Sequence, residues 1–85
     1  MNITPNERAV LDALATNHFG QDVGDLVWAN CINDADRPSG IEGKALSGVC
    51  ASLSRKELIS CEGYGDDACV SLTTRGVLAL ALTAD

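Results

Sequence analysis

The chain has 85 residues, a formal net charge of −6 and 46% hydrophobic residues. That length holds one hydrophobic core and excludes a second independent one, so residues 1–85 are read as a single domain. The net negative charge excludes non-specific binding of nucleic acid by the whole surface, and leaves any such role to a local cationic patch.

No targeting segment is expected. The N-terminal residues MNITPNERAV lack the basic and apolar regions of a secretion signal. The longest apolar run, Val77 to Leu82, is too short to cross a bilayer. A cytoplasmic protein with no membrane partner is expected. The cysteines at positions 31, 50, 61 and 69 contain no C-x-x-C pair. They are read as thiols in a reducing compartment, with neither metal nor structural disulfide. Cys61 and Cys69 are the pair to watch, because a hairpin brings them near one another.

In chain order, Thr4-Pro5-Asn6-Glu7 predicts a helix start: Thr4 caps, Pro5 occupies the first helical position and Glu7 completes a capping box. Val10, Leu11, Leu14 and Ala15 continue at helical spacing to about Asn17, and Phe19-Gly20 opens a loop. Asp22 or Asp25 is read as the cap of a second helix carrying Val27, Trp28, Cys31 and Ile32, with Trp28 the largest piece of the core. The stretch NDADRPSG, residues 33–40, predicts a loop.

A third helix follows, in GKALSGVCASLSRKELI. Leu46, Val49, Cys50 and Leu53 fall at i, i+3, i+4 and i+7, a single apolar stripe. Lys44, Gly48, Ala51 and Arg55 lie opposite, flanked by Ser47 and Ser52. Residues 58–61 read as a strand, EGYGDD as a turn, and residues 68–72 as the returning strand with Ile59 facing Val70. In that register Cys61 opposes Ala68, and Cys69 lies on the other sheet face. Thr73 caps a last helix. Gly76 near its start costs helix propensity, so something other than local preference keeps it there. Val77, Leu78, Leu80 and Leu82, with Ala79 and Ala81, make this helix apolar nearly all round, which predicts a homodimer seam. The expected core is Leu11, Leu14, Trp28, Ile32, Leu46, Val49, Leu53, Ile59, Val70 and Leu72.

The second half of the chain resembles a known family. LSRKELISCEGYGDDACVSLTTRG is similar to the ending of MarR-type winged helix-turn-helix regulators, through Leu53, Arg55-Lys56, Leu58-Ile59, Val70, Leu72-Thr73 and Gly76. The whole also resembles small phage and prophage proteins. The resemblance implies an α+β, mostly α, winged helix-turn-helix fold: three helices, a two-stranded wing hairpin and a C-terminal helix. It also implies that the third helix lies in the major groove of DNA. Two departures stand out. Glu57 occupies the turn where the family has glycine, and the wing carries Asp66-Asp67, which repel phosphate, where DNA-binding relatives carry an arginine.

Charge is divided unevenly. Residues 1–43 hold seven acids and two bases (net −5), residues 44–56 hold three bases and no acid (net +3), and residues 57–85 hold five acids and one base (net −4). The positive charge is thus focused on the third helix, and Lys44, Ser47, Gly48, Ala51, Ser52, Arg55 and Lys56 form the candidate DNA-binding face. Two alternatives compete with that role. Arg55 and Lys56 complement the helix C-terminal dipole in any fold. The small Gly48-Ala51 face also suits packing against a protein helix, with the acidic remainder engaging a basic partner or imitating nucleic acid. No enzyme is expected. His18 has no nucleophile beside it in the sequence, the carboxylate pairs Asp34-Asp36 and Asp66-Asp67 fall in turns, and GIEGKALSG lacks the spacing of a phosphate loop. No cofactor is implied.

Overall fold

The computed structural model of the chain describes residues 2–63 and 68–83, so the acidic pair Asp66-Asp67 and Tyr64 lie outside the described residues. The elements are α1 (Pro5–Ala15), β1 (Val27–Trp28), a 3-10 turn (Ala29–Cys31), α2 (Gly43–Arg55), β2 (Ile59–Glu62), β3 (Cys69–Leu72) and α3 (Thr74–Thr83). They form a small α+β arrangement of three α-helices and a three-stranded antiparallel sheet in the order β1-β3-β2.

α1 starts as its sequence dictates. Thr4 Oγ1 accepts from the Glu7 N–H at 3.1 Å and the Glu7 carboxylate accepts from the Thr4 N–H at 2.8 Å, a complete capping box. α2 ends in a Schellman motif. The Leu58 N–H reaches the Leu53 carbonyl at 3.0 Å and the Glu57 N–H reaches the Ser54 carbonyl at 3.0 Å. Leu53 and Leu58, the apolar pair that accompanies this motif, are both fully buried. The motif needs a left-handed residue, and Glu57 takes φ +63° where glycine is the unstrained choice.

The second predicted helix does not form. Val27–Trp28 pairs with β3, Val27 opposite Val70 and Trp28 opposite Cys69, and only Ala29–Cys31 turn helically. The spacing of Val27, Trp28, Cys31 and Ile32 fits a short helix and a strand followed by a turn equally well. Cross-strand pairing decides between them, after a loop in which Gly24 has φ +88°. The consequence falls on Trp28, which is 52% exposed on the outer face of the sheet and does not belong to the core. Val27 takes the inward position instead.

Two buried or half-buried asparagines replace the missing helix as supports. Asn17, fully buried, donates to the carbonyls of Cys31 (2.9 Å) and Ile32 (3.1 Å). Asn33 donates to the Ile41 carbonyl at 2.9 Å and accepts from the Ser39 N–H at 2.8 Å, closing the loop that leads to α2.

The hairpin register differs by two residues from the expected one: Ile59 faces Leu72, Cys61 faces Val70 and Glu62 faces Cys69. An even shift keeps every side chain on its face, so Cys61 and Cys69 still lie on opposite sides of the sheet. Val27, Ile59, Val70 and Leu72 meet Val10, Leu11, Leu14, Ile32 and Leu53 in the core. Leu46 and Val49, expected at its centre, are half-buried against its margin.

Gly76 explains itself in this packing. α3 is capped by Thr73, whose Oγ1 accepts from the Gly76 N–H at 3.0 Å and donates to the Glu57 carbonyl at 2.8 Å. The helix then crosses so close to the chain leaving α2 that a Cβ on Gly76 would stand 2.1 Å from the Leu58 carbonyl oxygen. Gly48, in the open face of α2, has nothing within 4 Å of the same position. The two glycines should therefore respond oppositely. In urea unfolding, Gly48→Ala is expected to add about 1 kcal/mol from helix propensity. Gly76→Ala is expected to lower stability by about 1–3 kcal/mol through overpacking, despite the same propensity gain. Equal stabilisation by both would show that α3 is free to move away from Leu58.

Candidate nucleic-acid interface

α2 presents the candidate face because its apolar stripe is turned inward. Cys50 and Leu53 are buried, and Lys44, Ser47, Gly48, Ala51 and Arg55 are exposed. Lys44 and Arg55 make no ion pair among the described residues. They stand at opposite ends of the helix, about 16 Å apart along its axis.

Ser52, half-buried, and Lys56, still 40% exposed, turn toward Glu7 at the edge of this face. The Ser52 hydroxyl donates to Glu7 Oε2 at 2.7 Å, and Lys56 Nζ bonds Glu7 Oε1 at 2.7 Å and the Asn2 carbonyl at 3.2 Å. Glu7 is 2% exposed, and its carboxylate takes three donors: Thr4, Ser52 and Lys56. Burial on its own would raise its pKa. The hydrogen bonds from Lys56, Ser52 and the Thr4 N–H, together with the Lys56 charge, outweigh that and hold it at about 2, below the ordinary 4.5. Two residues of the predicted face thus bind α2 to the start of α1. The sequence contained the signal: Glu7 lies on the same helical stripe as Val10, Leu11 and Leu14, and Ser52 and Lys56 stand three and seven residues after Val49, on the inner margin of α2.

Between α2 and the hairpin lies a cavity of about 470 Å³, walled chiefly by Leu46, Ser47, Cys50, Ala51, Cys61 and Val70. Ser47 and Ala51 belong both to this cavity and to the outer face, so the cationic helix face continues into an apolar hollow. Burial, with Cys61 as a neighbour, pushes the Cys50 thiol up to about 11, so it stays protonated and a poor nucleophile or metal ligand at neutral pH. Elsewhere, His18 Nε2 lies 2.9 Å from Asp36 Oδ1, both well exposed. Among the described residues no three His, Cys, Asp or Glu side chains gather as a metal site, and no helix is long and apolar enough to cross a membrane.

The chain matches no protein-family model, no curated protein and no solved structure.

The Glu7 cluster makes stability depend on acid. Its folded pKa lies below the unfolded value, so the unfolded chain takes up the proton first as pH falls. Its contribution is therefore complete above about pH 4.5 and is lost as pH falls towards 2. The difference is on the order of 3 kcal/mol. Glu7→Gln keeps the shape and the capping acceptor but not the charge. Urea unfolding at pH 6 should find Glu7→Gln less stable by about 2–3 kcal/mol, and at pH 2.5 the gap to wild type should narrow to about 1 kcal/mol or less. A gap independent of pH would assign the role to packing alone.

Proposed function

We propose that the chain is a winged helix-turn-helix protein that binds duplex DNA through the outer face of α2, as a small transcriptional regulator of phage or bacterial type. The observation that carries this reading is the pair of exposed cations, Lys44 and Arg55, at the two ends of an open strip made of Ser47, Gly48 and Ala51. The DNA major groove is about 12 Å wide, so cations about 16 Å apart reach the phosphates on either side while the small residues between them approach the bases. The cytoplasm is the compartment that goes with this role.

The cost is also legible. Lys56 is neutralised by Glu7, which leaves two cations per chain on the face against a net charge of −6. Binding is therefore weak for one chain and strengthened by a second. α3 offers the seam: Val77, Leu78 and Leu82 are exposed, and residues 76–83 contain no charged side chain. Two strongly acidic chains meet with least repulsion where neither is charged.

A second reading has its own observation. Because Ser47 and Ala51 also border an apolar cavity, the same face suits a protein helix, which would make the chain an acidic interaction module, a host-factor binder or nucleic-acid mimic without DNA binding.

A gel-shift titration at low salt separates the two. Under the DNA reading, wild type shifts duplex DNA, Lys44→Glu with Arg55→Glu abolishes the shift, and log K falls with log salt at a slope of roughly −2 to −4 for two to four phosphate contacts. Absence of any shift at low salt, with the charge reversals altering only a protein complex, would leave the second reading. Sedimentation velocity tests the seam: wild type should be dimeric at high micromolar concentration and Leu78→Glu with Leu82→Glu monomeric. A monomeric wild type would remove the two-fold arrangement.

A further inference from the structure

We infer that the segment from Phe19 to Trp28 is a docking surface for a basic protein segment with an apolar side, rich in lysine or arginine. This goes beyond the DNA reading and uses none of the α2 face.

Four large apolar side chains stand on these ten residues, Phe19, Val23, Leu26 and Trp28, each at least 50% exposed. They are not a core left half-built, because the residue between the last two, Val27, fills the inward position at 1% exposure. The surface is also held in place. Phe19 N–H donates to Oδ1 of the fully buried Asn17 at 2.9 Å, which fixes the near end. β1 pairs with β3, and the Gly24 N–H donates to the Leu72 carbonyl at 3.1 Å, which fixes the far end. The two limbs touch at Gly20, where an added Cβ would meet the Asp25 Cβ at 2.8 Å. An ordered surface of exposed aromatic and aliphatic side chains binds without the cost of ordering a loop, and aromatic residues are the usual anchors of protein interfaces.

Charge selects the occupant. Asp22 and Asp25 lie between Phe19 and Leu26 in the chain, both exposed, and fixed by a turn in which the Asp25 N–H donates to the Asp22 carbonyl at 3.0 Å and the Asp22 N–H to Asp25 Oδ2 at 3.3 Å. Residues 9–36 contain five acids and no lysine or arginine. Nucleic acid and anionic lipid are repelled by such a field. A second copy placed by two-fold symmetry would set these same carboxylates against one another. A cationic peptide with an apolar side meets both the charge and the exposed carbon.

Trp28 is the only tryptophan, so its fluorescence reports the surface directly. The full chain is titrated with a synthetic amphipathic leucine/lysine helix, a leucine/glutamate helix of equal length, oligolysine and anionic phospholipid vesicles. A saturable blue shift with the leucine/lysine helix alone is expected. Affinity should fall at least tenfold in Asp22→Lys/Asp25→Lys and in Phe19→Ser/Leu26→Ser. It should change less than twofold in the charge-matched Glu42→Lys/Glu57→Lys variant and in Lys44→Glu/Arg55→Glu. Circular dichroism verifies that each variant is folded, and either of the first two variants suffices. The inference is overturned by an equal shift with the glutamate helix or vesicles, by a shift on concentrating the chain alone, or by an equal loss in the Glu42/Glu57 control, which would reduce the effect to net charge.

Discussion

Glu7 is a carboxylate with almost no access to water, placed where the start of α1 meets the end of α2. A buried charge is stable only if donors replace the water it loses, and here three do so from two distant parts of the chain. One oxygen closes the capping box of α1 and takes the Lys56 ammonium, and the other takes the Ser52 hydroxyl. The group thereby fixes the rotation of α2 about its own axis. With Ser52 and Lys56 bonded to Glu7, Lys44, Ser47, Gly48, Ala51 and Arg55 are the residues of the candidate face left without that tie. The buried charge and the inward-turned apolar stripe of Cys50 and Leu53 together decide which residues of α2 are left on the candidate face.

The far side of α2 is fixed by backbone contacts. Glu57 adopts the left-handed conformation that ends the helix, Leu58 drops into the core, and the carbonyls of both residues are then used by the next elements. Thr73 bonds the Glu57 carbonyl with its side chain, and Gly76 packs against the Leu58 carbonyl with no atom to spare. The Leu-Thr-x-x-Gly pattern thus has a local physical meaning: a core leucine, a helix cap that also ties down the preceding turn, and a helix residue that must have no side chain. Arg75 adds an exposed bond to Glu57 Oε2 at 3.0 Å, which contributes little beside these.

The surface left by this framework is divided. The α2 face is small and cationic at its ends, the segment from Phe19 to Trp28 is apolar and acidic, and α3 beyond Arg75 exposes apolar side chains and no charge. The proposed DNA face, dimer seam and docking segment therefore fall on three chemically different surfaces that share no residue.

Elements whose signals are local were legible in the sequence. The Thr4-Pro5-Asn6-Glu7 start, the Leu46–Leu53 stripe, the hairpin strands and the Thr73 cap are written within a few residues of where they act, and Gly76 was marked as costly without its reason being visible. Tertiary structure decided what depended on pairing between distant segments. Val27–Trp28 became a strand because β3 offered it an edge, which moved Trp28 from core to surface. The hairpin register differs by two residues because an even shift keeps every side chain on its face, so the alternation in the sequence does not distinguish Ile59 opposite Val70 from Ile59 opposite Leu72. Ser52 and Lys56 turned toward a buried carboxylate 45 and 49 residues away; helical spacing put each group on the inner side of its own helix, but only the packing of α1 against α2 brought them together.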